Sequence, residues 1–248
     1  MTDQAQCVAD TLAAPAMRSL RPDYRAVVVG ANGGLGGAFV ELLEADAKCG
    51  GVVGLGRQSF PPLDMTDEDS IAAAAAEVSA QGSVDLLIDA TGLLHDVSVE
   101  PEKTFDNVKP TALVWSFANN AVGPLLLAKH FHALLPRKGK SVFATLSARV
   151  GSIGDNRLGG WYAYRMSKAA LNMALRTVAI EIARKRPDAV CLALHPGTVA
   201  TRLSAPFGDE GDKARPEDAA RRLLAVIDGC DASRTGSFLA YDGSEIPW

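Results

Sequence analysis

Short β-rich apolar runs alternate with longer helical patterns along most of this chain. The apolar runs lie at 25–29, 51–55, 84–88, 141–146, 189–194 and 237–240. The helical patterns lie at 37–48, 68–80, 110–135, 161–186 and 216–228. Because parallel strands can be joined only through a crossover, this alternation predicts an α/β fold, a doubly wound parallel sheet with helices on both faces. Ligands of such sheets bind at the carboxyl ends of the strands.

The first strand and helix are joined by a glycine-rich turn, in the stretch VVVGANGGLGGAFVELL at 27–43. Unpaired amides and the positive end of the helix dipole face such a turn, so it can bind a phosphorylated ligand. The spacing of Gly30, Gly34 and Gly36 is G-x-x-x-G-x-G rather than the common G-x-G-x-x-G. Taken alone, the glycines also fit a tight reversal that needs positive φ and binds nothing.

Length and composition favour one domain of ordinary size. The chain has 248 residues, of which 48% are hydrophobic, enough to bury a large core. We predict a single domain over residues 25–248, preceded by a loosely ordered leader over 1–24. Asp3 and Asp10 interrupt that leader, and no basic start leads into an apolar stretch, so it does not resemble a targeting segment.

The distribution of charge, apolar residues and cysteine argues against several kinds of partner. A net charge of −4 and a basic run no longer than that at 184–186 argue against nucleic acid. No window approaches the roughly 18 apolar residues of a membrane span, so none is expected. The cysteines lack metal-site spacing and predict a reduced, cytoplasmic location without a structural metal; they are Cys7, Cys49, Cys191 and Cys230.

A serine, a tyrosine and a lysine follow the fourth apolar run. Ser147 comes directly after that run, and the segment YAYRMSK occupies 162–168. Tyr164 and Lys168 have i, i+4 spacing and share one face of a helix, where an ammonium group can lower the pKa of a phenol. A phenol so adjusted can exchange a proton with a carbonyl oxygen. Most such pairs merely lie on a surface, so the position after a strand gives this pair its weight.

Together these motifs resemble those of the short-chain dehydrogenase/reductase family. The matching segments are GANGGLG at 30–36, NNAVGP at 119–124, YRMSK at 164–168 and HPGTVAT at 195–201. They are similar to the family's T-G-x-x-x-G-x-G, N-x-x-G, Y-x-x-x-K and P-G-x-x-x-T. The phrase PEKTF at 101–105 and the final YDGSEIPW are similar to C-factor-like carbonyl reductases within the family. The resemblance implies a Rossmann-like fold and the interconversion of a carbonyl and an alcohol by hydride transfer.

The resemblance implies catalytic roles for Asn120, Ser147, Tyr164 and Lys168. Ser147 would hydrogen-bond the substrate oxygen, and Tyr164 would act as the general acid/base. Lys168 would lower the pKa of Tyr164 and bind the nicotinamide ribose, while Asn120 would hold a water that passes protons to Lys168. Without the other motifs, Asn120 would be interpreted as a helix-capping or turn residue.

The resemblance also implies a nicotinamide dinucleotide cofactor. Gly56 stands where an acid would bind the ribose of NAD(H), and Arg57 follows it, which favours NADP(H). NAD(H) stays possible if Arg57 is only a solvated loop residue. The implied cofactor-binding residues are Gly30, Asn32, Gly33, Gly34, Leu35, Gly36, Arg57, Asp64, Met65, Ala90, Thr91, Gly92, Tyr164, Lys168, Pro196, Gly197, Val199 and Thr201.

Two positions depart from the family's pattern. The segment DATG at 89–92 stands for the family's N-N-A-G, so that Ala90 lacks a hydrogen-bonding side chain that usually supports the central strand. Val29 stands for the first threonine of the glycine motif, a small loss of turn hydrogen bonding. We expect local support of the site to differ without loss of activity.

Several other side chains invite a functional interpretation and have an ordinary one. Tyr162 lies near the start of the same helix, but its i+4 partner is Met166 rather than a lysine. Trp161 is expected to shape the substrate cleft or to pack. His95 is expected in a solvated loop, and His195 beside the P-G turn. The helical residues His130 and His132 are expected to be structural.

The substrate is expected to be a small carbonyl or alcohol without a large charged group, because Leu203, Pro206 and Phe207 suggest an apolar lip. By likeness to the family, the helices at 110–135 and 161–186 would pair copies into a homodimer or homotetramer. The alternative to an enzyme is a catalytically silent dinucleotide-sensing or regulatory protein on the same fold. A methyltransferase, which shares a glycine-rich turn, has no use for the tyrosine and lysine.

Overall fold

The computed structural model describes residues 17–97, 99–207 and 209–248. Its centre is a parallel sheet of six strands in the order β2-β1-β3-β4-β5-β6. The strands are β1 (Tyr24–Val29), β2 (Cys49–Leu55), β3 (Leu86–Asp89), β4 (Ser141–Leu146), β5 (Ala189–His195) and β6 (Ser237–Ala240). Every apolar run of the sequence forms a strand, and the doubly wound α/β prediction is confirmed. The winding direction reverses between β1 and β3, which opens a crevice at their carboxyl ends.

Helices cover both faces of the sheet. They are α1 (Gly34–Glu44), α2 (Glu68–Ala80), α3 (Pro110–Phe117), α4 (Gly123–Phe131), α5 (Tyr162–Ala183) and α6 (Pro216–Gly229). One apolar layer packs α1 and α6 on the sheet, and the other packs α2, α4 and α5. Along β1, Ala26 and Val28 enter the first layer while Val27 and Val29 enter the second. Burial on both faces explains why the strands are continuously apolar.

The helix predicted over 110–135 is not continuous. A π-helical turn, Ala118–Val122, separates α3 from α4, and a short 3₁₀ turn, His132–Leu134, ends the segment. Pro124 lacks a backbone N–H at the start of α4, which favours a break in the regular ladder. Gly123 packs so closely that a Cβ there would lie 2.5 Å from the carbonyl oxygen of Met65. The irregular turn carries Asn120, and π turns often occur at functional sites.

The same segment bears on the expectation about membrane spans. Helical residues 110–134 contain an 18-residue window with a mean hydropathy of 1.2, which by length and composition alone would suffice to cross a bilayer. A helix packed on the sheet of a globular domain passes the same test, and 44% of this window is buried within the protein. The finding is therefore weak evidence for a span.

The end of the expected leader belongs to the packed domain. Met17, Leu20 and Tyr24 are buried in the first apolar layer. The amide of Met17 and the hydroxyl of Tyr24 both donate to one oxygen of Asp46, at 2.8 and 2.9 Å. Residues 17–24 are therefore not loose, contrary to the prediction for that part of the leader. The remainder, with Asp3, Cys7 and Asp10, lies outside the described residues.

We expect Gly36→Ala to destabilise the fold. A Cβ at Gly36 would lie 2.1 Å from the carbonyl oxygen of Gly30, so α1 would have to move away from the turn. The free energy of unfolding, measured with urea, should fall by about 1–3 kcal/mol, as for other overpacked sites. Gly51→Ala is the control, because nothing lies within 4 Å of its added Cβ. Equal stability of the two variants would contradict this account.

Candidate active site

The glycine turn forms a cradle of backbone at the start of α1. Gly30 has φ +84°, and a Cβ there would lie 3.1 Å from the backbone of Ala90. The turns after β1 and β3 therefore touch at the crevice. Gly33 caps α1 without a side-chain hydrogen bond, which leaves the amides of the first helical turn without a side-chain acceptor. A phosphate group fits these amides better than any side chain could.

The end of β2 presents polar groups beside this cradle. Asn32 donates from its amide nitrogen to the side-chain oxygen of Gln58 at 3.3 Å, which ties the first turn to the end of β2. Arg57 is exposed and makes no hydrogen bond to the described residues. Asp64 accepts from the hydroxyl and amide of Thr66 at 2.7 and 2.8 Å, and these bonds lower the pKa of its carboxyl. The charge of Arg57 lowers that pKa further.

Helix α5 brings Tyr164 and Lys168 to the carboxyl edge of the sheet. Their side chains share one face, and the Nζ atom of Lys168 lies 5.9 Å from the centre of the Tyr164 ring. Tyr164 and Lys168 are only 8% and 2% exposed. Lys168 donates to the carbonyl oxygen of Leu146 at 2.8 Å. The hydroxyl of Ser147, the next residue, donates to Oδ1 of Asn172 on the same helix at 2.6 Å.

Burial dominates the acid–base properties of this pair. It lowers the pKa of Lys168 to about 8, against an opposing effect of Asp89. Burial also raises the pKa of Tyr164 above its ordinary value. Burial therefore opposes the lowering of the Tyr164 pKa by Lys168, and that role of Lys168 stays a prediction. The reason is that the phenol is removed from water while the ammonium group hydrogen-bonds to Leu146.

Asn120 is held by a dense set of hydrogen bonds. Its Oδ1 accepts from the amide of Leu93 at 2.8 Å, and its Nδ2 donates to the carbonyl of Leu93 at 2.7 Å. Nδ2 also lies within hydrogen-bond distance of the hydroxyls of Ser116 and Ser167, at 3.2 and 3.1 Å. A Cβ at Gly92 would approach both Asn120 and Lys168, at 3.8 and 3.5 Å. Gly92 thus lies beside both side chains, while the water-holding role of Asn120 stays a prediction.

Asp89 supplies support that the substituted motif was expected to lack. It is fully buried at the end of β3, and it accepts from the hydroxyl and amide of Thr91 at 2.6 and 3.0 Å. Its other oxygen accepts from the hydroxyl of Thr145 on β4 at 2.8 Å. Burial raises the pKa of Asp89, while these hydrogen bonds and the charge of Lys168 oppose that rise. The side chain of Asp89 therefore links the ends of β3 and β4 by hydrogen bonds, which the side chain of Ala90 cannot do.

Sequence analysis did not single out Asp89 or Asn172. Asp89 is the first residue of the DATG segment, whose departure from the family's pattern was interpreted only at Ala90. Asn172 follows Lys168 at i+4, so helical spacing alone places it on the face that carries Tyr164 and Lys168. Helical spacing could therefore have identified Asn172. The partner of Asp89 on β4 could not be identified from the sequence, because it comes close only when β3 and β4 pair.

The segment after β5 returns to the glycine turn. Gly197, with φ +78°, packs on the ring of Tyr241, while Val199 has its side chain buried in the first apolar layer. The methyl of Thr201 lies 3.2 Å from where a Cβ of Gly34 would be. Pro196 lies between β5 and these residues at the carboxyl edge. The P-G segment and the glycine turn thus border one crevice.

A cluster of aromatic side chains lies beside Tyr164. The ring centre of Trp161 is 6.4 Å from that of Tyr164 and 5.1 Å from that of Phe207. His95 packs edge-on against Phe207 at 5.6 Å, and its Nε2 lies 3.2 Å from the carbonyl oxygen of Leu203. His95 is therefore not the freely solvated loop histidine that was expected, because the segment after β5 covers it.

The other histidines have structural surroundings. His195 is largely buried beside the P-G turn, and burial lowers its pKa to about 4. His130 lies 3.0 Å from Glu68, and His132 bonds to backbone carbonyls of its own helix. Within the described ranges, no group of three or more His, Cys, Asp or Glu side chains could hold a metal ion.

The fold and the site define a class of protein. An open parallel sheet with a glycine cradle at its switch point is the Rossmann-like arrangement. The tyrosine and lysine of α5 face that crevice together with the serine that follows β4. This combination is typical of dehydrogenases and reductases with that fold.

Comparison with known proteins agrees with that class. A family model described as enoyl-(acyl carrier protein) reductase matches residues 39–246. C-signal of Myxococcus xanthus is 41% identical over 138 residues, which cover 54% of this chain and 76% of that protein. A 1-hydroxy-2-glutathionyl-2-methyl-3-butene dehydrogenase of Rhodococcus is 34% identical over 190 residues, 76% of this chain and 79% of that protein.

A solved structure is similar over nearly the whole chain. The NADPH-bound carbonyl reductase from chicken fatty liver is 27% identical with a TM-score of 0.80, over 92% of this chain and 100% of that one. The chain belongs to the short-chain dehydrogenase/reductase family, and it is an oxidoreductase of that type.

We expect Asp89→Asn to lower the pKa of Lys168 below about 8. The carboxylate of Asp89 raises that pKa against the effect of burial, and a neutral amide removes this contribution. NMR titration of the Lys168 side chain would measure the change without any turnover. Asp188→Asn, at the opposite edge of the sheet, is the matched control. An unchanged or raised pKa in Asp89→Asn would show that the two buried groups do not interact.

Proposed function

We propose that the protein is an NADP(H)-dependent carbonyl reductase with Tyr164 as its general acid/base. The observation that carries the proposal is the meeting of Ser147, Tyr164 and Lys168 at the crevice that the glycine cradle borders. A phenol and a hydroxyl beside a dinucleotide cradle can bind and protonate a carbonyl oxygen during hydride transfer.

The proposed mechanism uses the two hydroxyl groups at the substrate oxygen. NADP(H), when bound, supplies or accepts the hydride. Ser147 exchanges its hydrogen bond to Asn172 for one to the substrate oxygen and so orients the carbonyl. Tyr164 gives its proton to that oxygen in reduction and takes a proton back in oxidation.

Lys168 and Asn120 assist the proton transfer by Tyr164 in this mechanism. The ammonium group of Lys168 favours the phenolate that forms when Tyr164 gives up its proton. Its pKa of about 8 lets Lys168 exchange a proton near neutral pH. Asn120, held against Leu93, keeps the π turn and the backbone after β3 in place beside Lys168. We propose that a water at this turn returns the proton from solvent.

The chain's own residues fit a dinucleotide along the crevice. The cradle of Gly30, Gly33 and Gly36 would hold the pyrophosphate, since the amides of the first turn of α1 have no side-chain acceptor there. Asp64 and Met65 would contact the adenine, the segment 90–92 would border the ribose and nicotinamide, and 196–201 would cover the nicotinamide end. The NADPH complex of the chicken carbonyl reductase supports this choice of ligand.

Arg57 supports NADP(H) over NAD(H). Its guanidinium is exposed at the end of β2, and Gly56 before it leaves no carboxylate to repel a 2′-phosphate. NAD(H) binding would lack that contact. The preference is therefore proposed to rest on one side chain.

We infer the substrate class from the cluster of aromatic side chains beside Tyr164. Trp161, Phe207 and His95 form a wall without an acidic or basic side chain of fixed charge. We propose a ketone or aldehyde whose carbonyl carries an apolar group, and no large charged one.

Exposed apolar side chains on α3 and α5, such as Val114 and Met173, support assembly of copies through these helices.

A sensing role is the second candidate. The relative in Myxococcus xanthus is named C-signal, which favours a protein whose output is a signal. A sensor has no need of a buried tyrosine and lysine beside a serine, so the enzyme remains the better supported proposal.

We expect Tyr164→Phe to lose turnover while keeping cofactor affinity. The change removes the proton donor but leaves the ring, so kcat should fall by a factor of about 100 to 10,000. NADPH affinity from tryptophan fluorescence should stay within about threefold, since the change adds no clash. Tyr162→Phe is the matched control, because it lies two residues earlier on α5 without a lysine on its face. Unchanged turnover in Tyr164→Phe would overturn the role of Tyr164 as the general acid/base.

We expect Arg57→Ala to weaken NADPH binding without weakening NADH binding. Loss of a charge-assisted contact to the 2′-phosphate should raise the Kd of NADPH by about tenfold or more. Calorimetry with each cofactor measures both constants. Arg184→Ala, an exposed arginine after the end of α5, controls for the loss of one positive charge. A parallel loss for both cofactors would exclude Arg57 as the basis of preference.

A further inference from the structure

The chain enters α5 through a run of left-handed residues. Gly159, Gly160 and Trp161 have φ of +63°, +66° and +52°. Glycine adopts this conformation freely, but a tryptophan does so at an energetic cost, because its Cβ approaches the following carbonyl oxygen. Such a residue persists only where its surroundings impose the conformation, and such residues concentrate at functional sites.

Glu102 imposes that conformation from a distant part of the chain. It lies in the connection between β3 and α3, where its main-chain oxygen accepts from the amide of Trp161 at 2.5 Å. Its carboxylate Oε2 accepts from the amide of Ala163 at 3.2 Å. One residue thus holds the amides on both sides of Tyr162. Because Trp161 caps α5 without a side-chain hydrogen bond, Glu102 takes the place of a local cap.

The carboxylate of Glu102 is placed at an energetic cost. Its side chain is 5% exposed, and among the described residues its Oε1 is buried without a hydrogen-bond partner. A buried, unpaired acceptor is unfavourable, because it has lost its hydrogen bonds to water without replacement. A serine or aspartate at the start of α5 would cap the helix without that cost. Helix capping alone therefore does not explain a glutamate here.

The position of Trp161 supplies the explanation. Its ring lies between Tyr164, at 6.4 Å, and Phe207 of the segment after β5, at 5.1 Å. A right-handed backbone at this residue would send the ring in another direction. The two hydrogen bonds from residue 102 hold the backbone on both sides of Tyr162 and so hold Trp161 in this position. Only the bond to Ala163 depends on the glutamate side chain.

We propose that Glu102 is a positioning residue for substrate recognition, which holds Trp161 as a wall for a flat apolar group attached to the reacting carbonyl. The inference rests on the proposed function for its substrate and on the contacts of Glu102 for its geometry. Aryl aldehydes and ketones are the class that such a wall selects over small aliphatic ones.

The first experiment measures the placement of Trp161 without turnover. In a Trp115→Phe, Trp248→Phe background, Trp161 is the sole tryptophan, and acrylamide quenching reports its exposure. Glu102→Ala should raise the quenching constant about twofold, since the bond from Ala163 is lost and the half-buried ring is released. Glu102→Gln keeps an acceptor oxygen and should match the parent. Glu100→Ala, an exposed glutamate two residues away, should also match it.

The second experiment measures selectivity in the otherwise unchanged chain. With 4-nitrobenzaldehyde, Glu102→Ala should raise KM about tenfold, while KM for propanal and kcat for both change by less than about threefold. Glu102→Gln should restore the wild-type ratio. Glu102→Asp, shorter by one methylene, should give an intermediate ratio and supplies the result if the alanine variant does not fold.

The outcomes separate the two proposals. Unchanged quenching in the alanine variant, or equal losses for both aldehydes, would overturn the role of Glu102. If the wild-type chain reduces neither aldehyde nor other carbonyls with NADPH, the proposed function fails, and the quenching result still decides whether Glu102 places Trp161.

Discussion

The approach of α1 to the turn after β1 is the constraint on which the site depends. Gly36 rests directly on the carbonyl of Gly30, and Gly30 in turn lies against the backbone of Ala90. These two contacts, each possible only without a side chain, bring the helix amides and two strand ends to one crevice. A wider spacing would move the phosphate cradle away from Lys168. The Nζ atom of Lys168 lies near Gly92, which is in the same turn as Ala90.

Buried polar groups are concentrated at this crevice and are costly. Lys168 and Asp89 are both buried, and Glu102 keeps one oxygen unpaired. A fold selected for stability alone would replace such groups with apolar side chains. Their presence at the carboxyl edge, next to Tyr164, agrees with the proposed proton transfer, because local rules of folding are most often broken where function demands it.

The sequence predicts the layers of the fold and the placement of the candidate catalytic residues better than it predicts the fine positions. Strands such as 141–146 and the helix at 68–80 are recovered because continuous apolar runs and helical periodicity are local signals. Tyr164, Lys168 and Ser147 are recovered because their spacing is fixed by one helix and one strand end. The π turn at Asn120, the left-handed Trp161 and the bonds of Asp89 are not recoverable in this way. Each depends on a partner remote in sequence, such as Leu93, Glu102 or Thr145.

The hydroxyl and ammonium groups of the site are held by neutral acceptors of the protein itself. Ser147 donates to the amide oxygen of Asn172, and Lys168 donates to the carbonyl of Leu146. A hydrogen bond to a neutral partner contributes only about 0.5–1.5 kcal/mol net, so a substrate or ribose oxygen can replace that partner at small cost. An ion pair in either position would hold the side chain more strongly and oppose that exchange. In the proposed mechanism, the site is therefore organised before substrate binds and can still release its donors to the substrate.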